Sequence, residues 1–429
     1  MTDKNANKIG YKKTKLGWIP EDWEVVKLKN FAISLIGLTY RPENIVNKGL
    51  LVLRSSNIKN GKIVYNDNVF VNCLVPPKLL TQEDDILICV RNGSKNLVGK
   101  CAIVRKQDTN NSFGAFMSVI RSERNKYLYH FFQTDIARKQ YLGTTSATIN
   151  QITSKDLGLL NVVLPASYCE QKKIAEVLSC WDEGIEVLEK LLEKKQLLKK
   201  ALMQGLLSGK IPLKNSQKNN SYKKTILGKI PSNWTVVKLK NIFTRLEEKN
   251  SKKNMLPVLT NSATQGVIYQ NEYFDRSIVS ETNTNNYYIV YPNAFMYNPR
   301  ISKNAPAGPI NINKLGEIGI ASPLYTIFYS KNDLCNSFYE LYFNTNLWNK
   351  YMFNVANQGA RHDRLNVTTK DFINMPLPCP PINEQQEIVE VLSSYDEEIK
   401  LLDKKLEMLK LQKKGLMQKL LTGEIRIKA

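Results

Sequence analysis

The stretch "YKKTKLGWIPEDWEVVKLKN" from Tyr11 returns, lightly altered, as "YKKTILGKIPSNWTVVKLKN" from Tyr222. A second pair keeps nearly the same offset: "EQKKIAEVLSCWDEGIEVLEK" from Glu170 and "EQQEIVEVLSSYDEEIKLLDK" from Glu384. Between them "ITSKDL" from Ile152 answers "VTTKDF" from Val367. Chance likeness between basic, leucine-rich segments would not hold one register over three stretches. A repeat of this period restricts the fold more than any local propensity can, because each copy must form the same unit. The chain therefore reads as two copies of one unit, each about half of its 429 residues.

Each copy divides into two unlike parts. In the first copy, short β-rich runs around Leu51–Val71, Asp85–Val90 and Cys101–Val104 are separated by Asn, Gly and Lys clusters. "KYLYHFFQTDIARKQYL" reads as one helix with an aromatic face. In the second copy, "VLTNSATQGVIYQ", "YYIVYPNAFMYNP" and "PLYTIFYS" read as strands, and "SFYELYFNTNLWNKYMF" as a helix. These are α+β heads. A long heptad helix follows each. Its stripe is Ile174, Leu178, Trp181, Ile185, Leu188, Leu192, Lys195, Lys199, Leu202 and Leu206 in the first copy. In the second it is Ile388, Leu392, Tyr395, Ile399, Leu402, Leu406, Leu409, Lys413, Leu416 and Leu420. Spacing that alternates four and three marks a seam buried against another helix. Gly209 and Gly423 are placed to cap the ends.

The expected fold is α+β: two globular α/β domains in a pseudo-two-fold arrangement, separated by two long antiparallel coiled-coil helices. The boundaries read as a first head at 1–166, a central helical region at 167–213, a second head at 214–380 and a C-terminal helical region at 381–429. "KNSQKNNSYKK" from Lys214 reads as an exposed linker.

The balance of 61 Lys+Arg against 39 Asp+Glu, a net +22, favours a polyanionic partner, most often nucleic acid. From Lys190 to Lys224 ten lysines face one glutamate, which suits either DNA beside the helices or a solvated face with its linker. No apolar run approaches the roughly 18 residues of a membrane span, and "MTDKNANKIGYKK" lacks the apolar core of a signal peptide. Seven scattered cysteines without a Cys-x-x-Cys pair suit reduced thiols, so the expected location is cytoplasmic.

Catalytic patterns fail one after another. There is no Walker A loop, and no Gly-x-Gly-x-x-Gly follows a strand. "YNPR" from Tyr297 loosely resembles the Asn-Pro-Pro-Tyr loop of amino-methyltransferases, but lacks its second proline and final aromatic; it reads as a strand end. Two histidines, His130 and His362, make no metal site, and His130 reads as packing. "PEDWEVVK" from Pro20 mimics a nuclease metal motif, yet the repeat replaces Glu21, Asp22 and Glu24 by Ser232, Asn233 and Thr235. What persists is Pro20/Pro231, Trp23/Trp234 and Lys27/Lys238. The copies keep packing residues and drop carboxylates. No catalytic and no metal-binding residue is expected.

Two heads on paired rods suit a protein gripping two separated stretches of one duplex. The chain resembles the specificity subunits of type I restriction–modification systems over essentially its whole length. The resemblance rests on Pro165, Glu170, Gln171, Ile174, Leu178, Asp182 and Ile185, repeated as Pro380, Glu384, Gln385, Ile388, Leu392, Asp396 and Ile399. The openings "LGWIPEDWEVVKL" and "LGKIPSNWTVVKL" carry it too, with "VLRSSNIKNGKI" and "EDDILICVRNG".

The resemblance implies a non-catalytic chain that recognises a bipartite, asymmetric target in double-stranded DNA. It implies two methylation subunits and restriction subunits as partners. S-adenosylmethionine, ATP and Mg would sit on those partners, with no cofactor on this chain. The alternatives are the specificity subunit of a fused methyltransferase–nuclease system, a stand-alone DNA nuclease or methyltransferase, or a helical scaffold or RNA-binding adaptor.

Base reading needs Arg or Lys for guanine and Asn or Gln for adenine, carried on loops. In the first head the candidates are Arg54, Asn57, Lys59, Arg91, Asn92 and Lys95. In the second they are Thr260, Asn261, Gln265, Arg300, Lys303, Gln358, Arg361 and His362.

Overall fold

The two repeated stretches recur together because they pack together. In the computed structural model, which describes residues 9–144, 150–213, 221–251, 255–273, 284–330, 336–357 and 363–427, the opening line forms a hairpin, Tyr11–Thr14 with Gly17–Pro20. The next strand, Glu24–Lys27, pairs antiparallel with Asn161–Leu164, the strand just ahead of the long helix Tyr168–Leu207. The second copy repeats this: Tyr222–Thr225 with Gly228–Pro231, then Thr235–Lys238 with Pro376–Cys379, ahead of the helix Ile382–Leu421.

The chain divides into two compact units. One holds residues 1–189 and 404–429, the other 190–403. Each long helix therefore gives part of its length to each unit.

In the first unit an antiparallel sheet runs in the order Cys101–Ile103, Ile86–Cys89, Met117–Arg121, Ile33–Ile36. The second unit has the matching order Ile310–Ile312, Phe295–Tyr297, Thr326–Ser330, Phe243–Leu246. The interior strand "ILIC" is buried at every position, as its unbroken apolar run requires. The second core is aromatic: Phe243 meets Phe295, Phe328 and Tyr339 edge-on with centroids 5.2, 5.2 and 5.4 Å away. Phe295 and Phe328 stack at 5.3 Å. Such pairs add to the area term by about 0.5–1.5 kcal/mol each.

The structure corrects one expectation in both heads. Each aromatic helix is two helices, Asn125–Phe132 with Asp135–Thr144 and Asn336–Phe343 with Asn349–Val355. A threonine makes the break. The Thr134 hydroxyl donates to the Phe131 carbonyl and accepts from Ala137 N–H. Thr345 donates to the Tyr342 carbonyl and accepts from Leu347 N–H. A hydroxyl that bonds the backbone locally ends one helix and starts the next.

The heptad stripes are the buried faces. In the first unit Ile174, Leu178, Met417, Leu420 and Leu421 join the core of the first head. In the second, Leu206, Leu207, Ile388 and Leu392 join the core of the second. The helix segments are antiparallel within each unit, since as one ion-pair partner advances the other retreats. Asp182 meets Lys413 at 2.6 Å and Glu189 meets Lys410 at 3.1 Å in the first unit. Lys195 meets Glu398 at 2.8 Å, and Lys199 meets Asp396, in the second. Lys413, the interruption of the stripe, is buried on that carboxylate, and Lys199 with Asp396 is its repeat. Polar pairs in an otherwise apolar seam fix register, because slippage would strand both charges.

Gly209 and Gly423 end the helices with φ of +70° and +72°. A Cβ on Gly209 would lie 2.3 Å from Pro231, and one on Gly423 2.4 Å from Pro20. Each helix end is thus seated on the repeated Pro–Trp opening.

Candidate nucleic-acid interface

The signature residues Glu170, Gln171, Glu384 and Gln385 face inward, not toward a ligand. Glu170 is buried and accepts from Trp23 Nε1 at 3.3 Å. Glu384 accepts from Trp234 Nε1 at 2.7 Å and from Asn233 Nδ2. Gln171 and Gln385 donate to the carbonyls of Pro165 and Pro380 at 2.7 and 2.9 Å. Both glutamates lie in the first helical turn, where a carboxylate also suits the helix dipole. In the first unit Arg426 adds a fork on Glu170 (2.7 and 2.9 Å) and another on Asp22 (2.9 and 2.7 Å), with its guanidinium 5.5 Å from the Trp23 ring. The motif is a clamp between head and helix. Sequence reasoning recognised its residues but not their partners.

Surface groups suited to DNA gather elsewhere. In the first head, Arg91 follows the interior strand Ile86–Cys89 and is exposed. Its backbone bridges Gln151, just before the short helix capped by Thr153. In the second head, Arg300 follows Phe295–Tyr297, is exposed, and bridges Arg364 just before the helix capped by Thr368. Two heads of different sequence thus place an exposed arginine at the same point of the fold. Near Arg300, Asp363 is held below the usual carboxylate range by hydrogen bonds from Arg364 and then Arg300.

The structure brings the two candidate loops of the first head together. Asn92 Nδ2 donates to Ser55 Oγ at 3.1 Å, and Lys100 Nζ to the Ser55 carbonyl at 3.3 Å. Lys59 and Lys95 are exposed, and Arg54 is half-buried against Asp67 at 2.8 Å. Asn57 is fully buried: its amide donates to the Val64 and Asp67 carbonyls and accepts from Arg54 N–H. In the second head, Gln265 and Lys303 are exposed. Thr260 and Asn261 are buried. Thr260 meets the Tyr325 hydroxyl at 3.1 Å, while Asn261 donates to the Met296 and Pro309 carbonyls and accepts from Asn311. Gln358, Arg361 and His362 lie outside the described residues.

His130 is buried beside Ser179 and 3.8 Å from Asp182, and burial followed by the nearby Lys413 pushes its pKa down to about 3. Neutral at ordinary pH, it packs and carries no charge. Among the described residues no group of His, Cys, Asp and Glu could hold a metal ion. No helix there is long and apolar enough to cross a membrane.

A family model for the type I restriction modification DNA specificity domain matches twice, over residues 20–197 and 231–411. The two matches cover most of the chain. The chain belongs to this family. As a specificity subunit it is the DNA-recognition component of a type I restriction–modification system, and catalysis is not its task.

Among curated specificity subunits, a provisionally named MjaX type I restriction enzyme subunit from Methanocaldococcus jannaschii is 28% identical over 97% of each chain. The MjaVIII subunit of the same organism is 26% identical over 96% of this chain and 94% of its own. The EcoKI specificity subunit of Escherichia coli is 31% identical over 47% of this chain and 45% of its own. Solved structures share the fold. A chain from a study of type I R-M assembly and conformational transition aligns over 95% of this specificity subunit and 99% of its own length, at TM-score 0.58 and 16% identity. The S subunit from M. genitalium aligns over 93% and 96%, at TM-score 0.50 and 15% identity.

Proposed function

We propose that this specificity subunit reads a two-part, asymmetric DNA target, one part per head, and directs methylation and restriction subunits to it. The observation that carries the reading is the paired placement of Arg91 and Arg300 in heads whose surrounding residues differ. An arginine fork suits guanine O6 and N7, and different neighbours make the two readings different. Segments 1–166 and 214–380 would be the recognition domains, with 167–213 and 381–429 as the helical regions. The net charge of +22 supplies the sequence-independent, salt-sensitive share of affinity. Of the base-reading candidates among the described residues, Lys59, Arg91 and Lys95 in the first head and Gln265, Arg300 and Lys303 in the second are exposed, with Arg54 and Asn92 half-buried, and these are the groups that would meet the duplex.

The partners would be double-stranded DNA, two methylation subunits carrying S-adenosylmethionine, and restriction subunits using ATP and Mg, in the cytoplasm. The test is the methylome of cells expressing the complete complex. Arg91→Ala is expected to relax one half of the motif and Arg300→Ala the other. Exchange of residues 214–380 for those of another family member should replace one half only. Changes in both halves from either head would overturn the reading.

A further inference from the structure

Phe116 belongs neither to the core nor to the base-reading candidates named above; it is 57% exposed and lies beside Arg91. The backbone beneath the ring is tied down. The Phe116 carbonyl accepts from both Val90 and Arg91 N–H, at 3.0 and 3.2 Å. The turn that carries it is tied by Gly114 N–H to the Leu53 carbonyl (3.0 Å) and by Met117 N–H to the Gly114 carbonyl (2.8 Å). The Arg91 guanidinium lies 5.0 Å from the ring centroid. An exposed apolar face thus lies beside the Arg91 guanidinium, on the segment that also carries Asn92 and Lys95. In the second head the register that matches Arg300 to Arg91 puts Leu324, an aliphatic side chain without a ring, where Phe116 stands.

We propose that Phe116 and Arg91 form one reading pair in the first head. Arg91 takes the acceptors of a guanine, and the Phe116 ring packs on the methyl group of the adjacent thymine. The major groove offers that methyl as its apolar mark, and phenylalanine is among the side chains that contact it. A short aromatic side chain on a tied backbone loses little freedom on contact. The inference rests on the DNA-reading function proposed above and adds a residue and a base to it.

The test uses the full chain assembled with its methylation subunits and duplexes bearing the target that the methylome defines. Each thymine of the first half is replaced in turn by deoxyuridine, which lacks only the methyl. At one position, next to the guanine lost in Arg91→Ala, the natural chain should bind uridine about fourfold more weakly, the worth of one buried methyl. Phe116→Ala should bind thymine and uridine equally there, with other positions unchanged. Phe116→Leu should keep part of the discrimination, which separates a lost contact from a damaged head. A first half without thymine, indifference of the natural chain to every replacement, or loss of subunit assembly in Phe116→Ala would overturn the proposal. If the natural complex bound no duplex at all, the DNA-reading function itself would fail instead.

Discussion

The indole N–H of Trp234 donates to the Glu384 carboxylate at 2.7 Å, and with the Asn233 amide on the same carboxylate it joins the turn after the opening hairpin of the second head to the first turn of its long helix. Trp234 is 2% exposed, so nothing in solvent can replace the acceptor. Glu384→Ala is expected to destabilise the second unit by about 1–3 kcal/mol, the cost of an unsatisfied buried donor. Hydrogen exchange should quicken in Tyr222–Lys238 and stay unchanged in the matching strands of the first unit. Equal quickening in both would show that the bond is not the local clamp described.

Arg426 gives the first unit a lock with acid sensitivity. Asp22 is held below its ordinary value of 3.8 by hydrogen bonding from Arg426. A depressed folded-state pKa stabilises above the unfolded value and loses that stabilisation as pH falls through the folded value. Below about pH 4 the natural protein should lose this contribution, and Arg426→Met should lack the corresponding slope. Asp22 is largely exposed, so the effect is expected to stay under about 1 kcal/mol. Denaturant titrations between pH 3 and 6 measure it.

His130 has the same sign at a higher pH. Its folded-state pKa, pushed down to about 3, lies below the unfolded value of 6.5. From about pH 6.5 downward the unfolded chain gains a proton that the folded one refuses. Stability of the first unit should fall with a slope approaching about 1.4 kcal/mol per pH unit. His130→Asn should flatten the curve between pH 4 and 6.5 at some cost in packing. An unchanged slope would mean that the ring protonates in place.

The Asp182–Lys413 pair should behave as a unit. Lys413→Leu removes the cation from a carboxylate that is one-third exposed, and should cost about 1–3 kcal/mol. Adding Asp182→Leu should restore most of that loss, because the double variant leaves no unpaired charge. Chemical denaturation of the two single variants and the double gives the coupling directly.

The sequence made the duplication, the α+β heads and the heptad seams legible because each is a pattern, and patterns survive without coordinates. Every stripe position named from the spacing is buried or half-buried, Lys413 included. The break in the aromatic helices was hidden, since the aromatic run continues across Thr134 and Thr345 and only a hydroxyl geometry ends the turn. Loop amides were harder still. Asn57 and Asn92 look alike in composition, yet one satisfies buried carbonyls and the other sits half-exposed on Ser55. Phe116 is not legible in the sequence as a base-reading residue, because an apolar ring carries no hydrogen-bonding group.

Seating the second long helix's last turn on Pro20 and Trp23 has a temporal side. During synthesis the segment 190–403 can collapse once its own residues have left the ribosome. The earlier-made first head lacks the contacts of Gly423 and Arg426 on its proline and tryptophan until those residues emerge. A nascent chain halted after residue 403 should therefore present a finished second half and an unfinished first, the reverse of the order in which they were translated.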